Sequence, residues 1–135
     1  MGYYKPCDEL DRCRALGKYW ENEDFEKWTS EYLKIAKETG YPLAECQVGY
    51  AYLEGIGVEK DLEQGLYWTT KAAEDGDRDG QYNLACCYEQ GIGTAIDMEK
   101  ARFWFEKAAL QNHDLAIEKM KRMWFVTIFG LMKKV

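Results

Sequence analysis

The sequence predicts an all-α fold: a short right-handed solenoid of stacked antiparallel helix pairs, closed by a C-terminal capping helix. Three observations carry that prediction. First, residues 44–79 laid over residues 80–115 coincide at a shift of 36. Tyr52 meets Tyr88, Gly55-Ile56-Gly57 meets Gly91-Ile92-Gly93, Asp61 meets Asp97, Trp68 meets Trp104, and Lys71-Ala72-Ala73 meets Lys107-Ala108-Ala109. A period of this length marks a stacked repeat, in which each unit buries its apolar face only against a neighbour. Second, apolar residues inside a unit recur at helical spacing, as Ala44, Val48 and Tyr52 do. Third, Gly40, Gly55, Gly76 and Gly91 stand where a left-handed residue ends a helix, and the chain holds only two prolines.

The elements follow in order. Unit one, about residues 8–43, is a degenerate copy. Ala36 and Gly40 align with Ala72 and Gly76 at the full period, but Leu16-Gly17 and Trp20 align with Val48-Gly49 and Tyr52 only at a shift of 32. The four missing residues are the Gly-Ile-Gly loop. Unit two, 44–79, opens after Pro42, which suits a first helical turn because its missing N–H has no partner there. Asp61 and Asp97 open the second helices of units two and three, as N-caps or as first-turn carboxylates that favour the helix dipole. Gly49, Ala72, Ala85 and Ala108 let neighbouring helices approach closely, and Trp68 and Trp104 are expected to be buried where second helices meet first helices. Unit three, 80–115, is followed by a helix over about 114–133, in which Met120 and Trp124 take the places of Leu84 and Tyr88. Residues 1–135 form a single domain on this reading.

Composition narrows the function. A formal charge of −6 argues against a general nucleic-acid binder, whose affinity comes from neutralising phosphates. Residues 1–20 carry charges throughout, unlike a signal peptide, and no apolar run reaches the roughly 20 residues of a membrane span. Five cysteines without a CxxC pair suggest reduced thiols and a cytoplasmic location. The charge is uneven: residues 41–112 carry −7 and residues 113–135 carry +3. The acidic middle suits a basic partner, although solvated helix faces would carry the same charge.

The run Gly49-x-x-Tyr52-x-x-Gly55-x-Gly57-Val58, then Asp61, Trp68 and Lys71-Ala72-Ala73, resembles the Sel1-like repeat, a tetratricopeptide-like unit of about 36 residues. Unit three keeps Tyr88, Gly91, Gly93, Asp97, Lys100, Ala101, Trp104, Lys107, Ala108 and Ala109, with Ala85 for the glycine and Thr94 for the valine. The resemblance implies a helical solenoid that holds other proteins, as adaptors in signalling or degradation complexes or as bacterial immunity partners of secreted toxins. It brings no catalytic residues. Some secreted relatives carry a disulfide in each repeat, but the cysteines here do not recur at the period.

Other chemistry is weakly supported. The Gly-Ile-Gly loops lack the preceding strand and third glycine of a dinucleotide site. Zinc needs about four closely spaced ligands, and the single histidine, His113, stands apart as a cap or surface residue. The acidic groups Glu21/Glu23/Asp24 and Asp75/Asp77/Asp79 read as solvated turns. No convergent acid–base set is present, so no enzyme, cofactor or metal is expected.

A non-enzymatic module that holds a protein or peptide in the groove lined by the first helices is the function expected, with toxin immunity as the alternative. Counting from the Gly49–Tyr52 frame places Asp11, Arg14, Lys18 and Glu21 on that groove from unit one, and Leu43, Cys46, Tyr50, Leu53 and Glu54 from unit two. Tyr82, Cys86 and Glu89 follow from unit three, and Arg122 and Phe125 from the last helix. Tyr50 and Tyr82 are the preferred anchors, because stiff aromatics often dominate binding energy, although both could instead pack between helices. The chain ends on an apolar stretch from Phe125 to Met132. Trp124, Ile128 and Leu131 are expected to seal the last helix on unit three. Phe125, Phe129 and Met132 then remain for a homodimer or partner contact.

Overall fold

The computed structural model describes residues 8–133; Cys7, Lys134 and the extreme ends of the expected domain lie outside them. Eight helices run in order: α1 Asp8–Arg14, α2 Gly17–Glu21, α3 Phe25–Thr39, α4 Pro42–Glu54, α5 Leu62–Glu74, α6 Arg78–Gln90, α7 Met98–Leu110 and α8 Asp114–Lys133. No strand occurs among them. Each helix from α3 onward packs on the next, so the pairs stack into a solenoid.

The turn chemistry accounts for the boundaries. Asp24, Asp61, Asp77 and Asp97 accept hydrogen bonds from the backbone N–H groups of Lys27, Gln64, Gly80 and Lys100, capping α3, α5, α6 and α7. Gly40, Gly55 and Gly91 close α3, α4 and α6 with φ of 65°, 73° and 72°. After α7 the left-handed place of Gly76 is taken by Asn112, at φ 61°, which a short polar side chain tolerates. Asp77 is therefore a half-buried cap, not the fully solvated turn acid expected.

The Gly-Ile-Gly loops join units together. A Cβ on Gly57 would collide with the Phe25 carbonyl at the start of α3, and Thr29 Oγ1 donates to the Ile56 carbonyl at 2.6 Å. Gly93 lies in the same way against α5, where a Cβ would come 2.9 Å from the Leu62 carbonyl. Each loop thus seats on the second helix of the preceding unit. Unit one has no such loop, and among the described residues no helix stands ahead of it to receive one.

Three expectations need correction. The first helix of unit one is broken into α1 and α2, because Cys13 and Leu16 turn inward and Leu16 N–H bonds the Cys13 carbonyl in a tightened turn. Gly17, aligned with Gly49, has nothing near its missing Cβ, whereas Gly49 presses on Thr69. Trp68 is buried but Trp104 is only partly so, because Phe105 fills the core beside it. The expected seal of α8 also fails at two of its three residues: Trp124 is 69% exposed and Leu131 60%, while Ile128 is half-buried. At 1.5 Å per residue a 20-residue helix is about 10 Å longer than a 13-residue one, so the end of α8 runs past α7. Only Ala116 of α8 is buried.

Two hydrophobic clusters result. One joins units one and two through Trp28, Tyr32, Ile35, Val48 and Trp68. The other joins unit three to α8 through Phe105 and Ala85, Ala101, Ala108 and Ala116.

Candidate partner-binding site

The first helices of successive units touch one another. Asn83 Nδ2 of α6 lies 3.8 Å from Cys46 Sγ of α4, and Lys119 Nζ of α8 pairs with Glu89 Oε1 of α6 at 2.7 Å. These helices therefore share one side of the stack, the side on which the sequence count places the expected groove.

The groove positions divide sharply. Tyr50 is 41% exposed, and Glu54, Arg14 and Lys18 also reach solvent. Arg14 is loosely paired with Asp11 at 3.9 Å, and Lys18 Nζ lies 5.1 Å from the Tyr19 ring. Cys46 does not belong on the accessible surface. It is buried, and desolvation together with the neighbouring Asp77 raises its thiol pKa well above the ordinary value. Leu53 is engaged in packing within its own unit: a Cβ on Gly65 of α5 would come 2.5 Å from Leu53 Cδ2. Cys46 and Leu53 thus both take part in helix-to-helix packing.

Tyr82 is held from several sides. Its ring stacks on His113 at 4.5 Å and 13°, and lies 5.6 Å from Phe105. Burial, and then the neighbouring Cys86, push its hydroxyl up to about 12. Burial likewise raises the Cys86 thiol. His113 is itself enclosed: the Ala116 N–H donates to Nδ1 at 3.3 Å, and Nε2 stands 3.1 Å from Asp79. It is a helix cap, and it sits inside the stack. Glu89 is tied to Lys119, while Arg122 stays exposed and lines a shallow cleft with Met98, Met123 and Val126. Phe125 is 65% exposed and stacks on Phe129 at 6.0 Å, with Met132 also exposed.

A cleft lined by aromatic residues lies between units one and two. Gly17, Trp20, Glu21, Trp28, Tyr32, Gln47 and Tyr50 line an open cleft of about 450 Å³. Trp28 and Tyr32 are its buried floor, and Trp20 and Tyr50 its exposed rim. The count from the Gly49–Tyr52 frame found Tyr50; it missed Trp20, where the break between α1 and α2 shifts the register of unit one, and Trp28 and Tyr32, which lie on the second helix α3 while the count took first helices alone. The cluster of aromatics at 19, 20, 25, 28 and 32 was the available signal.

Glu45 was also missed. It is fully buried on α4, with Lys71 Nζ 3.6 Å from Oε2 and Asp75 facing the carboxyl. Desolvation, then the Asp75 carboxyl, raises its pKa to about 7 against the pull of Lys71. Cys46, Cys86 and Cys87 are free thiols. Among the described residues no His, Cys, Asp and Glu group is arranged to hold a metal, and no helix is long and apolar enough to cross a membrane.

Comparison with known proteins agrees with this architecture. The chain is 36% identical over 50 residues to a sel1-like repeat-containing protein of Acanthamoeba polyphaga mimivirus, covering 37% of this chain and 9% of that protein. It is 33% identical over 69 residues to an F-box protein of Arabidopsis thaliana, covering 51% and 19% respectively. The crystal structure of a Sel1 repeat protein from Oxalobacter formigenes superposes with a TM-score of 0.76 at 34% identity, covering 89% of this chain and 46% of that one. The chain thus spans less than half the length of each of these relatives. Residues 42–77 and 78–113 each match the Sel1 repeat model, and since those matches take in more than half of its residues, the chain belongs to the Sel1-repeat family, a family of protein-interaction modules.

Proposed function

We propose that this chain is a non-enzymatic module that holds a protein or an extended peptide in the groove lined by α2, α4, α6 and α8. The observation that carries the reading is the cleft beside Tyr50, where aromatic rings stay open on an inner face whose other apolar groups are mostly packed. Rigid aromatics in a concave site supply large contact area at small entropic cost. The acidic middle of the chain favours a basic partner and speeds its encounter. The free thiols suit a reducing compartment, the cytoplasm.

Capture from native lysate tests the groove, comparing the wild type with Tyr50→Ala/Glu54→Lys. Both side chains are exposed, so the variant keeps its helical circular dichroism. Loss of the captured proteins is expected. A folded variant that retains all of them overturns the groove.

A second reading rests on a separate observation, the exposed Phe125, Phe129 and Met132 on α8. They form an apolar strip that a second copy of the chain would cover, giving a homodimer. Sedimentation of Phe125→Ser/Phe129→Ser against the wild type checks it: a dimer that becomes a monomer supports the contact, and an unchanged mass removes it.

A further inference from the structure

The cleft between units one and two has a composition that selects its occupant. Trp20 and Trp28 lie 5.0 Å apart at 58°, and Trp28 and Tyr32 lie 4.8 Å apart at 68°. Trp28 and Tyr32 are buried in this packing, so the π-surface that stays open is that of Trp20 on one side of the cleft and Tyr50 on the other. Tyr50 closes the far side from α4. The face of an aromatic ring is electronegative and attracts a cation within about 6 Å of its centroid. Among the described lining residues the one charged side chain is Glu21, and Gln47 adds an amide oxygen. Among the described residues no lysine or arginine lines the cleft: Lys18 is turned to Tyr19 and Arg14 to Asp11.

We infer that this cleft takes the guanidinium of an arginine side chain presented by the partner, stacked on the Trp20 ring at the rim and paired with Glu21. This rests on the groove reading and names its contact. An anion is excluded by Glu21 and by the ring faces. A proline would use the rings but gain nothing from the carboxylate. A planar guanidinium uses both, because it stacks on aromatic faces while its N–H donors bond a carboxylate. The −7 carried by residues 41–112 attracts the same kind of segment toward the groove.

The test is a titration of the full chain with three blocked hexapeptides, identical but for a central arginine, citrulline or proline. Citrulline keeps the shape of arginine without its charge. The five tryptophans give separate indole N–H signals in nitrogen-15 correlated spectra, so the site of contact is read directly. The arginine peptide is expected to shift the Trp20 and Trp28 signals and to bind at least tenfold more tightly than either other peptide. Trp20→Ala should weaken it at least tenfold and Glu21→Gln about threefold or more. Both residues are exposed, and Glu21→Gln keeps shape, so it carries the test even if Trp20→Ala disturbs α2. Equal binding of citrulline, tighter binding of proline, or no shift with any peptide at millimolar concentration overturns the inference. If it fails while Tyr50→Ala/Glu54→Lys still loses captured proteins, the groove stands and only its arginine contact falls.

Discussion

Residues 45 and 81 occupy the same place in units two and three, buried on the first helix of each pair. Position 81 is glutamine. Its Nε2 donates to the Ala73 carbonyl at 3.3 Å, and its Oε1 accepts from Gln111 Nε2 at 2.9 Å, which also donates to the Gly76 carbonyl. That network ties α5, α6 and the end of α7 with every partner matched. Position 45 is glutamate, and 36 residues before Gln111 stands Asp75. Unit two therefore sets two carboxyl groups where unit three sets two amides. The Glu45 oxygens lack a partner at full hydrogen-bond geometry, and Lys71 stands at 3.6 Å. A buried polar group without good partners costs stability. The core packing differs too. Unit two places Thr69 against Gly49 and buries Trp68, whereas unit three places Phe105 near Ala85 and leaves Trp104 partly open. Repeats that share a backbone can thus distribute bulk and polarity differently, provided each junction fills.

The largest effect that would sharpen this comparison comes from the tryptophans. Trp68→Ala should cost about 3–5 kcal/mol in denaturant unfolding and Trp104→Ala about half of that, because only the first empties a closed core. Equal losses at both sites would erase the difference between the two cores.

Next is the pH dependence of the Glu45 pair. A carboxyl whose pKa is raised from 4.5 to about 7 on folding lends stability at low pH that is lost as pH rises through about 7. The wild type should therefore have a higher Tm at pH 5.5 than at pH 8. Glu45→Gln, which copies Gln81, should remove most of that slope and raise stability at pH 8 by ~2–3 kcal/mol. Gln81→Glu should introduce a similar slope in unit three. If Glu45→Gln leaves the profile unchanged, Glu45 is not the group that responds.

A smaller effect separates the two loops. Gly57→Ala should cost about 2 kcal/mol and Gly93→Ala about 1. Both glycines have positive φ, but a Cβ at Gly57 strikes the Phe25 backbone, while at Gly93 the nearest atom is 2.9 Å away. Thermal melts of the two variants measure this, and a greater loss at Gly93 would reverse the order of the junctions.

The smallest effect is expected on α8. Phe125→Ser/Phe129→Ser should change the unfolding free energy by less than about 1 kcal/mol, because both rings are already in water. A larger loss in a monomer would mean that this end of α8 packs in solution.

Much of the solenoid is legible in the chain. The 36-residue period, the capping aspartates 61 and 97, Pro42 and the left-handed glycines 40, 55 and 91 each act within about one turn of their own position, and each appears where the sequence puts it. The groove was legible only in part. Tyr50 lines the cleft, but Cys46 is buried and Leu53 packs on Gly65, and the floor of the aromatic cleft comes from α3, a second helix that a count of first helices leaves out. Counting from a repeat assumes that every first helix is continuous, and the break at Ala15-Leu16 violates that assumption.

The sequence by itself therefore determined where helices start, stop and repeat, because hydrogen bonds at helix ends and allowed values of φ depend on near neighbours in the chain. The tertiary structure decided which members of a repeated set are buried. Trp68 and Trp104, and Glu45 and Gln81, stand at equivalent places in two repeats. They differ in what the adjoining unit places against them, and burial, desolvation and charge pairing are properties of that contact.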